Sequence, residues 1–102
     1  MTTYNVALEG NVLRIGFGDP AQNDQIVRDV AARLDEMIGC GELKGGELIR
    51  INGPASLPVA VVIGHALAHL YGAVAVYDPK LGKYVVSLTH GNPDLRVGDL
   101  VE

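Results

Sequence analysis

The sequence predicts a small α/β fold: a mixed β-sheet with two helices, Rossmann-like or ferredoxin-like, forming one domain over residues 1–102. Three observations lead there. β-prone runs alternate with helical repeats along the chain, the pattern of βαβ units. Residues 73–77 are apolar throughout and bounded by Gly72 and Asp78-Pro79, as in a strand covered on both faces. The 102 residues, 48% hydrophobic and 20% charged, have room for one core.

Each element follows in order. Residues 4–8 and 12–17 are β-prone runs joined by Glu9-Gly10-Asn11, a hairpin signal. Gly16-Phe17-Gly18-Asp19-Pro20-Ala21 formally fits the G-x-G-x-x-A dinucleotide fingerprint. The strand before it belongs to a hairpin, however, and Asp19 as N-cap, Pro20 at the first helical position and Gln22 at the third read as helix-start chemistry. From Pro20 to Ile38 the residues Ile26, Val27, Val30, Leu34, Met37 and Ile38 recur at helical spacing, opposite Asp24, Arg28, Asp35 and Glu36. The glycines from Gly39 to Gly46 end that helix, and Cys40 among them reads as an incidental thiol.

Residues 47–51 form the next expected strand, leading through Asn52-Gly53-Pro54-Ala55-Ser56 into a second helix over residues 57–70, with Ser56 its N-cap. The C-terminal edge of an α/β sheet is where ligands usually sit, and free amides at a helix start attract anions. A turn chosen only to change direction is the plainer alternative. The second helix is apolar on nearly every face and must be covered on most sides, which suggests a subunit interface along it. His65 and His69 lie one turn apart on it; they can bind a metal, but without an H-E-x-x-H glutamate they read as structural histidines. Residues 83–89 form another strand, antiparallel to its predecessor across the turn at Pro79–Gly82. His90 falls in a loop, and residues 95–99 add a short edge strand.

Composition narrows the function. A net charge of −4 lacks the basic surface of a general nucleic-acid binder, so long RNA or DNA is not an expected partner. A small phosphate ligand held by amides and a few cations remains compatible. One cysteine excludes an internal disulfide, and Met1-Thr2-Thr3-Tyr4 lacks the form of a signal peptide, so the expected location is cytoplasmic. The apolar stretch 57–70 is too short to cross a bilayer, and no membrane role is expected.

A helix that follows a strand runs back across the sheet, so Ser56 and Asp78 share one edge while His69 lies near the other. Five strand residues separate those edges by about 15 Å or more. If His69 and Asp78 are both catalytic, they act from different subunits.

Asn52-Gly53-Pro54, the helix end Ala66-Leu67-Ala68-His69, Ala75-Val76-Tyr77-Asp78-Pro79-Lys80-Leu81-Gly82 and Arg96-Val97-Gly98-Asp99 resemble the small ring nucleases of type III CRISPR defence, relatives of the CRISPR-associated Rossmann fold. The resemblance spans residues 48–99. It implies cleavage of the second messenger cyclic tetra-adenylate to short linear adenylates, which switches off the immune signal, with manganese or another divalent cation as cofactor. It also implies a homodimer, with dimers stacking around the ligand. Carried over by position, Asp78 and His69 form the catalytic centre and Asp78 holds the metal. Asn52, Gly53, Pro54, Ala55 and Ser56 cradle the ligand, while Lys80 and His90 contact it. Some relatives carry arginine at the position of Asn52, and some place their histidine in a longer helix–strand connection. Three alternatives accompany this expectation: a manganese-dependent exonuclease that removes 3′ adenylates from RNA, a sensor or sponge that captures cyclic oligoadenylate without cutting it, and a structural oligomeric domain in which Asp78 merely caps a turn.

Overall fold

A computed structural model describes residues 2–102. Along the chain it has β1 (Tyr4–Glu9), β2 (Val12–Phe17), α1 (Asn23–Gly39), β3 (Ile49–Asn52), α2 (Leu57–Ala68), β4 (Ala73–Asp78), β5 (Lys83–Thr89) and β6 (Leu100–Val101). The strands form one mixed sheet in chain order, with β2, β3 and β4 parallel and the outer pairings antiparallel. This is the α/β sheet with two helices expected from the sequence. Because the order never reverses, the parallel unit has no topological switch point and hence no crevice of the kind that serves doubly wound sheets.

The two helices pack against each other on one face of the sheet. Alternation along the strands sends Tyr4, Val6, Leu13, Ile15, Ile49, Ile51 and Val74 to that face, against Ile26, Val30, Leu34 and Met37 of α1 and Val59, Ile63 and Leu67 of α2. The opposite face carries a smaller cluster, Ala73, Ala75, Tyr84 and Val86, packed against Leu95 and Val101 of the last segment. That segment is latched by Arg50 Nε donating to the Glu102 carbonyl at 2.7 Å and by Lys83 Nζ reaching Glu102 Oε1 at 2.6 Å.

Three details differ from expectation, each with a physical reason. First, α1 begins at Asn23 with Gln22 as its N-cap, so Asp19 and Pro20 lie outside it. The amides of Gly18 and Asp19 donate to the carbonyls of Thr3 and Thr2 at 2.9 and 2.8 Å, carrying the β1–β2 pairing past the strand end. A Cβ on Gly18 would collide with the Thr2 carbonyl, so glycine there serves that close approach. Second, β2 both closes the hairpin and opens a parallel βαβ unit with β3, where the sequence suggested a hairpin strand alone.

Third, the edge strand forms at Leu100–Val101 instead of residues 95–99. Asn92 Oδ1 accepts from the amides of Asp94 and Leu95, and Asp99 Oδ2 from the amide of Arg96, which coils residues 94–99 into turns. As its all-round hydrophobicity suggests, α2 is covered by the sheet and α1 but open along its other flank, where Leu57 is 83% and Val61 70% exposed. No helix is long and apolar enough to cross a membrane among the described residues.

Candidate functional site

The residues singled out from sequence fall at the two ends of β4. Asp78 closes that strand; beside it lie Lys80 and, across the sheet edge, Asn52 and the 53–56 loop. His69, the C-cap of α2, and His65 lie toward the start of β4, as does His90, whose amide donates to the Gly72 carbonyl at 2.7 Å. Six residues of β4 at about 3.3 Å per step place these ends about 17 Å apart. One protomer therefore does not bring Asp78 and His69 to the same reacting atom.

At the Asp78 end the backbone is tied down. Asp78 Oδ1 accepts from the amides of Lys80 at 2.8 Å and Leu81 at 3.2 Å, an Asx turn that sets up the β4–β5 hairpin. Its other oxygen accepts no hydrogen bond from the described residues. The half-buried carboxylate is thus oriented by one oxygen and available through the other. The Lys80 side chain is exposed and makes no ion pair among the described residues.

The 53–56 loop is pinned from three sides. Gly53 has φ of 140°, and a Cβ there would drive into the Ile15 carbonyl, so only glycine lets the chain leave β3 this closely against β2. The Pro54 carbonyl accepts the Tyr4 hydroxyl, and burial of that phenol pushes its pKa up to about 12. Ser56 Oγ accepts the Val59 amide at 3.4 Å as N-cap and donates to Asn23 Oδ1 at 2.9 Å. Asn52 Nδ2 lies 3.4 Å from the Tyr84 hydroxyl, and the Arg50 guanidinium stacks over the Tyr84 ring at 5.9 Å. A hollow of about 450 Å³ separates Ser56 from the loop after β2, lined by Phe17, Asp19 and Gln22.

An apolar groove of about 600 Å³ joins the two ends along the open flank of α2. Gly53, Ala55 and Leu57 line its upper end, Val61, Val74 and Val76 its middle, and His65, Ser87 and Leu88 its lower end. A bulge in the β4–β5 pairing, where Val74 faces Leu88 but Ala75 faces Val86, brings both Ser87 and Leu88 to the groove. Val76 and Ser87 also line a smaller hollow of about 390 Å³ beside Asp78.

Sequence reasoning missed Tyr4, Asn23 and Tyr84. A signal existed for Tyr4: it alternates in phase with Val6 and Leu8, and a tyrosine on an inner face needs a partner for its hydroxyl. Asn23 and Tyr84 act across 33 and 32 residues of chain and carry no local signature. Among the described residues no three histidines, cysteines or carboxylates cluster as a metal-binding group. No family model matches the chain, and no solved structure matches it.

Proposed function

We propose that the protein is a metal-dependent ring nuclease that cleaves cyclic tetra-adenylate to linear adenylates and so ends type III CRISPR signalling. It works as a homodimer, with dimers stacking around the ring. The observation that carries this reading is the division of the resembling residues between the two ends of β4. A carboxylate with one free oxygen sits beside a pinned loop at one end, and the histidines sit at the other. Two protomers facing opposite ends of their sheets would bring Asp78 of one to His69 of the other. The uncovered flank of α2 supports an assembly, since exposed Leu57, Val61 and Val76 favour burial.

Asp78 fits a hard divalent cation as one oxygen ligand, because its free oxygen belongs to a carboxylate already oriented by two amides. When bound, such a cation would offset charge developing on the scissile phosphate. His69 would hold or deliver the proton exchanged with the attacking ribose 2′-hydroxyl or water and with the leaving oxygen. Lys80 would draw the phosphate toward the Asp78 end, and the rigid 53–56 loop would fix the ring's position with little loss of order on binding.

A non-catalytic capture of the ring has one observation in its favour: turn-capping already gives the Asp78 carboxylate a structural task. One assay separates the two. Purified protein is incubated with labelled cyclic tetra-adenylate, with and without manganese, and the products are resolved. Linear di-adenylates that form only with metal support the nuclease. An intact ring that co-elutes with the protein supports capture, and neither cleavage nor binding overturns both.

A further inference from the structure

On the last turn of α2, His65 and His69 are both exposed, with their Nε2 atoms 3.1 Å apart, ring centres 4.8 Å apart and ring planes at 82°. We propose that this pair is a two-imidazole chelate for a first-row transition cation of the zinc, nickel or copper type.

For a symmetric approach with both nitrogen lone pairs in one plane, the two distances fix where they meet. With each nitrogen about 1.2 Å from its ring centre, similar triangles place a common focus about 2.2 Å from both nitrogens, close to the length of a metal–imidazole bond. The nitrogen–metal–nitrogen angle at that focus is about 90°, suited to two neighbouring positions of a metal's coordination shell. A proton shared along a straight line between the rings would set the ring centres farther apart, at about 5.5 Å for the same nitrogen separation.

The pair is also preorganised. Both residues lie on the turn anchored by Ile63 and Leu67, which are buried, and the His69 amide donates to the Leu67 carbonyl. No third histidine, cysteine or carboxylate joins them among the described residues. The protein donors are therefore two nitrogens with no oxygen, a set that ranks manganese last and copper, nickel and zinc first. The remaining positions are open to water or to an anionic oxygen, and His65 lines the lower end of the groove, where such a ligand would arrive. This site lies the length of β4 from Asp78 and shares His69 with the ring-nuclease reading, so a cation held here would occupy the His69 Nε2 that proton transfer needs.

The test uses protein without a histidine tag and carrying Cys40→Ser, because the Cys40 thiol is exposed. Zinc, nickel and manganese are titrated in competition with a chromophoric chelator, and the thermal midpoint is followed in parallel. Zinc or nickel is expected to bind once per protomer and to raise the midpoint by about 10 °C at a hundredfold excess over Kd, with manganese at least a hundredfold weaker. His65→Ala is expected to lose at least tenfold in affinity together with the midpoint shift, whereas His90→Ala keeps both. Circular dichroism verifies that His65→Ala is folded. Equal binding by His65→Ala, or no saturable binding below about 1 mM, would overturn the site and leave the pair as a bent hydrogen bond.

Discussion

The two ends of β4 are built on opposite plans. At the Asp78 end the groups that hold the backbone are committed, Oδ1 to two amides, Pro54 to Tyr4, Ser56 to Val59 and Asn23, while the second Asp78 oxygen and Lys80 are left open. At the other end the imidazoles of His65 and His69 touch each other and are otherwise exposed. The first end holds its backbone through side chains that cannot change without cost. The second displays side chains whose loss the fold tolerates. Rigid positioning suits a carboxylate and a ligand loop, whereas an exposed imidazole pair suits groups that must meet a partner, a proton or a metal.

Substitutions should expose this contrast, beginning with the most severe. Gly53→Ala forces a Cβ into the Ile15 carbonyl at a φ of 140°, and an unfolding midpoint lower by the equivalent of about 3 kcal/mol is expected in urea. A loss below about 0.5 kcal/mol would mean that the loop is not pinned as described.

Asp78 separates structure from chemistry through two variants. Asp78→Ala removes the acceptor of two amides and should cost about 1–2 kcal/mol, while Asp78→Asn keeps an oxygen in place and should cost less than about 0.5 kcal/mol. Ring cleavage should vanish in both. Cleavage retained by Asp78→Asn would reduce the residue to a turn cap.

Tyr4→Phe should lose about 1 kcal/mol through the missing bond to Pro54, and it should also change the alkaline limit. The folded phenol keeps its proton up to about pH 12, while the unfolded chain releases it near 10. The unfolded state therefore binds fewer protons in that window, so stability is full below pH 10 and falls as pH rises toward 12. Tyr4→Phe should flatten that fall in denaturation curves recorded from pH 9 to 12, and an unchanged slope would assign it to other groups.

His65→Ala, at the other end, should shift metal-free stability by less than about 0.5 kcal/mol because the side chain is exposed. A loss above 1.5 kcal/mol would make the histidine pair part of the scaffold, and the contrast between the two ends would fail.

Much of this arrangement was legible in the sequence. Strand β5 runs from Lys83 to Thr89 as its β-branched and aromatic composition indicates, and Ser56 caps α2 where a serine two residues before a proline belongs. The separation of Asp78 from His69 followed from strand length alone. What escaped is partly non-local. The start of α1 was set by Thr2 and Thr3 pairing with Gly18 and Asp19, which outweighed the local preference of Asp19-Pro20 for a helix start. The coil before β6 is governed by Asn92 and Asp99, whose side chains cap turns that a β-prone reading of Leu95 and Val97 does not register. The open flank of α2 was visible only as excess hydrophobicity, because a helix pattern tells how much must be buried and not by what.

The most direct test of a site divided between protomers is complementation. Asp78→Asn and His69→Ala proteins, each inactive alone yet able to bind labelled cyclic tetra-adenylate, are mixed at several ratios, and linear products are measured with manganese. A divided site predicts activity that peaks near equal amounts, where hybrid assemblies pair an intact Asp78 with an intact His69. Mixtures that stay inactive at every ratio, while both parents bind the ring and exchange subunits, would contradict it.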